Sequence, residues 1–464
     1  MDVSARPEGQ RGSRTQSIKT VAAASFIGTT IEWYDFFLYG TAAALVFGDL
    51  FFPNAKPLIG TLLALSTYAV GFAARPIGGI VFGHFGDRVG RKSMLVISLL
   101  IMGTATFLIG CLPTYSSIGI LAPILLVILR FTQGLGVGGE WGGAVLMSVE
   151  HAPKGRRGFF GAWPQMGVPA GLLLSTLVFL VVQNQTSDAA FASWGWRIPF
   201  LASAILVIVG LVIRLKLMES PAFERVKETN TEASKPIVDV VRKYPRNVFT
   251  AMGMRVGENG VFYLLTVFVY VYGEEELGLD KNTMLTGVVI AAALGLITVP
   301  LYGTISDRVG RRPLYMAGAI VTTLWAFPFF GLMDTKSPIL IWAAIVIGIN
   351  IGHDLMYGPQ AAYFSELFGT RVRYTGASLG YQLASVFAGG FAPLVATALL
   401  AAGGSSLVAL YITGLGAVSV IATLFARETY QTDIHEDDER ERELVHERRF
   451  DRERFRDRET VGTR

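Results

Sequence analysis

Twelve mostly apolar stretches, near residues 20–48, 58–82, 93–112, 118–147, 158–183, 197–217, 247–272, 284–304, 314–333, 339–364, 374–401 and 406–426, alternate with polar breaks along the chain. A helix of about 20 such residues crosses the hydrocarbon core of a bilayer, so the pattern predicts twelve spanning helices and an all-α membrane protein. The breaks are uneven. Two of them, GHFGDRVGRK at 83–92 and GTISDRVGRR at 303–312, crowd acid, arginine and glycine between long apolar runs.

Composition supports the membrane reading: hydrophobic residues make up 52% of the 464 and charged residues 16%, outside the usual range of soluble domains. The single cysteine, Cys111, excludes an internal disulfide, and no Cys/His spacing suggests a metal. Arg6, Arg11, Arg14 and Lys19 precede the first apolar run as in a signal peptide, but that run outlasts a signal core and is read as the first span. Charge sets the orientation. Arg88, Arg91 and Lys92, then Lys154, Arg156 and Arg157, the segment from Arg214 to Arg246, then Arg308, Arg311 and Arg312, and finally Arg371 and Arg373 all fall on the side of the N-terminus. The other side holds little beyond Lys56, Arg197, Lys281 and Lys336. Both ends of the chain are therefore expected in the cytoplasm, with the protein in the inner (plasma) membrane.

The two charge-rich breaks align at an offset of 220 residues, and RGFFGAWPQ from Arg157 aligns with RYTGASLGYQ from Arg373 at 216. Two matches at nearly one offset predict homologous six-helix halves. The expected organisation is a cytoplasmic N-terminus at 1–19, a first bundle at 20–217, a linker at 218–246, a second bundle at 247–426 and a charged tail at 427–464.

GHFGDRVGRK after the second span, its echo after the eighth, and RFTQGLGVGGEWGG at 130–143 resemble the signature motifs of the major facilitator superfamily. Together with EWYDFFLYG at 32–40, WGWRIPF at 194–200 and the GHD of 352–354, they resemble its metabolite:proton symporter branch, and within it the bacterial shikimate transporters. Proline/betaine and alpha-ketoglutarate permeases lie in the same branch. The resemblance implies two pseudo-symmetric six-helix bundles and transport by alternating access. It also implies that Gly83, Asp87, Arg88, Gly90 and Arg91, with Gly303, Asp307, Arg308, Gly310 and Arg311, latch the halves together when the outside is open. A plain topogenic loop is the competing reading, but positive charge alone does not require Asp and Gly at fixed places twice. Glu140 is expected to form a second latch with Arg156, Arg157 or the first motif.

Charged residues inside the spans carry the candidate chemistry. Each costs on the order of 3 kcal/mol to place at a helix centre, so Glu32, Asp35, Arg75, Arg130, Arg255, Glu258 and Asp354, with His353, must face the interior and find partners. At 1.5 Å per residue, Glu32 and Asp35 lie roughly 18 to 24 Å from the start of the first span, and Arg75 about 18 Å from the same face. Glu32, Asp35 and Tyr39 share one helix face, as do Arg255 and Glu258 with Asn259 beside them. Asn350, His353, Tyr357 and Gln360 form a polar stripe with Asp354 adjacent. Gln133, Tyr263 and Gln382 complete the expected substrate lining.

Arg75 or Arg130 is expected to meet a substrate carboxylate, and Glu32 or Asp35 to take a proton. An anion bound at the arginine removes the charge that keeps the carboxylate ionised, so substrate and proton favour each other's binding. His353 with Asp354 is a second proton site, since histidine titrates near neutrality. Arg130 resembles the family's proton-linked arginine. A purely structural Arg255–Glu258 pair and a helix-packing His353 remain open.

GLGVGG at 134–139 fits a dinucleotide fingerprint, but no strand precedes it; glycines there suit close helix approach. No nucleotide or nucleic-acid site, cofactor or catalytic constellation is expected, so energy comes from a proton gradient. The expected partners are a small organic acid, the proton and the lipid bilayer, with the protein monomeric. The tail does not sustain a heptad, unlike the coiled coil of an osmosensing proline/betaine transporter in the same branch, and reads as a charge-paired or disordered segment. Three functions stand: proton symport of a small carboxylate such as shikimate, a dicarboxylate or a keto acid; uptake of proline or betaine; and a transport-inactive ligand sensor.

Overall fold

The computed structural model describes residues 18–89, 91–138, 141–150, 152–216, 240, 242, 244–368 and 373–432. Among them there is no strand. A backbone surrounded by lipid must satisfy its own hydrogen bonds, and a helix does so within one segment.

Twelve long helical runs follow in order among the described residues. They are α1 (Ile18–Leu45), α2 (Pro57–Val89), α3 (Arg91–Cys111), α4 (Leu121–Val137, resuming as Trp141–Glu150), α5 (Arg157–Gln185) and α6 (Arg197–Lys216). Then come α7 (Pro245–Tyr263, extended through π-helical turns to Glu276), α8 (Lys281–Val309), α9 (Arg311–Met333), α10 (Pro338–Glu366), α11 (Arg373–Ala384, continuing to Gly403) and α12 (Ser405–Phe425). Eight of the described helices are long and apolar enough to cross a membrane, nine when the bent pair ending in α6 is taken as one span. Buried charges hold two others below that mark: Glu32 and Asp35 in α1, Arg255 and Glu258 in α7.

The helices pack in a swapped pattern. Within the first six, α1 lies on α5, α2 on α4 and α3 on α6; within the last six, α7 and α9 lie on α12 and α8 on α10. Between the groups, α5 packs on α8 and α2 on α11. The sequence offset equates α2 with α8 and α5 with α11, so these two contacts are the same contact seen from either side of a pseudo-two-fold axis. Large apolar side chains such as Ile205, Phe249, Leu324 and Ile339 stand exposed on the outer helices, where lipid covers them.

Two polar segments take definite positions. The second charge-rich break is no loop: α8 runs to Val309, α9 starts at Arg311, and Gly310 is a one-residue joint with φ +103°, a region open to glycine. Asp307 and Arg311 thereby lie close enough to pair. At the other end, residues read as the start of the tail are docked. Glu428 accepts from the backbone N–H groups of Arg311 and Arg312 at 2.9 and 3.0 Å, capping α9, while Arg312 donates to the terminal carbonyls of α12 at Thr423 and Leu424. The rest of the tail and the linker at 218–239 lie outside the described residues.

Candidate functional site

In the first half, glycine brings α2 and α4 into backbone contact. A Cβ at Gly138 would stand 2.0 Å from the Arg75 carbonyl oxygen, and one at Gly78 2.1 Å from that of Leu135. This approach presses two buried arginines, Arg75 and Arg130, against the aromatic face of α1. The Arg75 guanidinium carbon lies 4.1 Å from the Phe36 ring centre and 4.2 Å from that of Phe72; that of Arg130 lies 4.4 Å from Phe36 and 4.3 Å from Tyr39. Both arginines leave Nε and Nη2 buried with no hydrogen-bond partner. Arg130 Nη1 donates to Gln133 Oε1, Gln133 Nε2 donates to Thr106 at 2.8 Å, and the Tyr39 hydroxyl is bonded to Thr67. Asp35 is fully buried, and the Thr106 hydroxyl and Glu32 are the groups that act on its carboxyl.

The second half holds a different arrangement, a continuous buried polar chain. Arg255 donates to Glu258 Oε2 at 2.6 Å, to Gln360 at 2.8 Å and to Ser385 at 3.2 Å. Glu258 Oε1 lies 3.0 Å from His353 Nε2, and His353 Nδ1 lies 2.8 Å from Asp354 Oδ1. Asp354 Oδ2 accepts from Asn350 at 3.0 Å and from Thr298. The chain begins where a π-helical stretch of α10, Ile347–His353, gives way to α-helix, a local irregularity common at functional sites. Phe262 and Tyr357 stack on the imidazole at 4.3 and 4.8 Å.

Between the halves lies a small cavity with room for about one water. Glu32, Arg75, Trp141, Tyr381 and Gln382 are among the residues that line it. Trp141 and Tyr381 stack across the interface at 3.7 Å, and Gln382 Nε2 donates to the Gly138 carbonyl at 3.3 Å. Tyr263 crosses over to pack on Phe72 at 5.1 Å. The side-chain oxygens of Asn259 and Tyr263 have no hydrogen-bond partner.

Both ends of the interface are bridged. At the end carrying Asp307, its carboxylate accepts from the N–H groups of Gly158 and Phe159 at 2.8 and 3.0 Å. Arg311 holds that carboxylate at 2.8 Å and Glu366 at 3.3 Å, and Arg157 reaches Glu366 at 3.4 Å and the Thr432 carbonyl at 2.7 Å. Gly303 meets Gly158, while Arg308 is exposed. At the opposite end Thr61 donates to Glu275 at 2.8 Å and Lys281 to the Leu45 carbonyl at 3.2 Å. Of the expected latch residues, Glu140, Gly90 and the side chains of Asp87, Arg88 and Arg91 lie outside the described residues, while Gly83 lies within α2.

A sequence profile of the Major Facilitator Superfamily matches residues 25–389. The chain belongs to the major facilitator superfamily. This superfamily member is 42% identical over 431 residues to the shikimate transporter of Escherichia coli (strain K12), an alignment covering 92% of this chain and 98% of that one. It is 34% identical over 422 residues to the proline/betaine transporter of the same strain, covering 89% and 83%. Its fold matches a structure of the proton:xylose symporter XylE with a TM-score of 0.72 at 18% identity, covering 91% of this chain and 98% of that chain.

The superfamily member also uses residues that sequence reasoning did not single out. Glu366 joins Arg157 to Arg311, and the repeat held a signal for it, since the 216-residue offset pairs it with Glu150, which itself meets Arg373 at 3.5 Å. Trp141 and Tyr381 carried no such signal, because an aromatic residue in an apolar run is ordinarily packing.

Proposed function

We propose that the protein is a secondary active transporter that carries a small organic acid together with a proton by alternating access, with both chain ends in the cytoplasm and Asp307 at the cytoplasmic face of the inner membrane. The observation that carries this reading is the Arg75 guanidinium, which lines the cavity between the halves with Nε and Nη2 buried and unpaired. An unpaired buried donor of this kind is costly. A carboxylate is the partner that fits it, because the planar fork matches two oxygens at once. Glu32 on the same cavity and Asp35 one turn further along α1 supply carboxyl groups next to the anion site. The bridged ends and the glycine contact at Gly158 and Gly303 suit two halves that rock about the cavity.

The similarity to a shikimate transporter favours a hydroxylated monocarboxylate, with dicarboxylates and keto acids as the neighbouring chemistry. A quaternary ammonium would seek aromatic faces, and those of Phe36, Phe72 and Tyr39 are already covered by guanidinium groups at 4.1 to 4.4 Å. For a monoanion entering with one proton the voltage term cancels, leaving about 1.4 kcal/mol per pH unit, or about tenfold accumulation.

The test is uptake of labelled shikimate, a keto acid and betaine into proteoliposomes with an inside-alkaline pH gradient, with and without an uncoupler. Uncoupler-sensitive accumulation of an acid is expected. Accumulation of betaine alone, or binding without accumulation, overturns the reading.

A further inference from the structure

Resting on the symporter reading, we infer that the transported proton is held by the Glu258–His353–Asp354 chain of α7 and α10, in the opposite half from the arginines that take the anion.

Counting donors leads there. Both imidazole nitrogens of His353 lie at hydrogen-bond distance from carboxyl oxygens, Nδ1 at 2.8 Å from Asp354 and Nε2 at 3.0 Å from Glu258. A neutral imidazole carries one N–H and one acceptor nitrogen, and an ionised carboxylate only accepts. Three arrangements make both contacts hydrogen bonds: imidazolium between two carboxylates, neutral imidazole with Glu258 protonated, or neutral imidazole with Asp354 protonated. All three hold one proton more than a neutral histidine with two ionised carboxylates. The second oxygen of Glu258 offers no alternative seat, because it already accepts N–H donors from Arg255 at 2.6 Å and Gln360 at 2.9 Å. The chain is thus in its loaded state here.

The groups facing the chain are Arg255 and Tyr263 on α7, Tyr302 of α8 toward Asp354, Tyr315 of α9, which is bonded to Gln360 at 3.1 Å, Tyr357 on α10 and Tyr381 of α11. Release of the proton leaves one contact with acceptors on both sides. When Nδ1 keeps its hydrogen toward Asp354, the contact that must open is the one to Glu258, which joins α7 to α10. In that tautomer, loss of the proton is converted directly into a change of helix packing. The link to substrate is short. Arg255 lies 3.2 Å from the centre of the Tyr381 ring, and Tyr381 lines the cavity with Arg75 and stacks on Trp141 of the other half. One aromatic ring separates the anion cavity from the arginine that holds Glu258.

The experiment compares the wild-type protein with His353→Asn and Asp354→Asn in proteoliposomes, using labelled shikimate. Asp354→Asn keeps side-chain volume and offers Nδ1 an amide N–H, so a neutral imidazole and an ionised Glu258 make both contacts without the extra proton; it stands in if the histidine variant does not fold. Two quantities are read: accumulation under a pH gradient of one unit, with external alkalinisation followed by a pH electrode, and counterflow at equal pH on both sides. The expected wild-type accumulation is about tenfold. In the variants it falls to about one with no alkalinisation, while counterflow persists. Tenfold accumulation with wild-type alkalinisation in either folded variant overturns the inference. So does loss of counterflow in both folded variants, which would make the chain a requirement for movement in general. If the wild type itself accumulates no acid, the symporter reading has failed instead.

Discussion

Asp307 of α8 accepts hydrogen bonds from the backbone N–H groups of Gly158 and Phe159, so a carboxylate from one half closes the first turn of α5 in the other. The free N–H groups of a first turn favour a negative charge, and Arg311, 2.8 Å away, fixes where that charge sits. Asp307→Asn keeps one acceptor and removes the charge. Closure at this end is expected to weaken by about 1–2 kcal/mol, a shift of roughly 5–30-fold toward the state open at that face. Distances between spin labels on the ends of α5 and α8 will read it; an unchanged distribution contradicts the latch.

The same contact tolerates no side chain. A Cβ at Gly158 would stand 2.2 Å from the Gly303 carbonyl oxygen and 2.6 Å from Arg311 Nη1. Gly158→Ala should hold this end apart, abolishing accumulation while the protein still folds and reaches the membrane. Accumulation at the wild-type level would show that the halves need not touch here.

Arg75 and Arg130 should differ from a general positive charge. Arg75→Lys keeps the charge and loses the fork, and Arg75→Gln loses both. Hydrogen bonds to charged groups contribute about 1.5–3 kcal/mol, so the apparent KM for the acid is expected to rise by roughly tenfold or more in both variants, further in the glutamine. Wild-type KM in Arg75→Gln would remove Arg75 from the anion site.

Glu275, at the end opposite Asp307, titrates outside the spans. Partial desolvation, with Glu274 and Asp49 as like charges, holds its carboxyl above the usual range, and the bond from Thr61 only partly opposes this. A raised carboxyl favours the contact when protonated, so the closed outer edge is fully favoured below the ordinary glutamate range and loses that favour as pH rises through the raised value. Labels placed across the Thr61–Glu275 edge should separate more often as pH is raised through that window, and Glu275→Gln should flatten the response. An equal response in the variant would assign the pH dependence elsewhere.

Glu428 caps α9 from beyond the last span. Replacing it with alanine frees two N–H groups and is expected to cost about 0.5–2 kcal/mol, the range for loss of a helix cap. A lower midpoint of thermal unfolding in detergent, with Glu428→Gln less affected than Glu428→Ala, is the outcome to look for. Equal midpoints would mean that water replaces the cap without loss.

What the sequence determined by itself is what depends on distance along one helix or on a repeated word. The length of apolar runs set the spans, because a bilayer has a fixed thickness. The echo of DRVGRK as DRVGRR set the two halves. Arg75, Arg130, Glu258 and His353 stood out because charge inside a span is expensive, and Arg255 with Glu258 could be paired from their spacing alone. Tertiary structure decided everything that joins separate helices. Glu258 meets His353 across 95 residues, Arg157 meets Glu366 across 209 and Thr432 across 275. Such pairings are set by how helices pack, which depends on glycine contacts and side-chain shape spread over the whole bundle. For that reason a chain can announce that it must bury charges without disclosing which charge each one will meet.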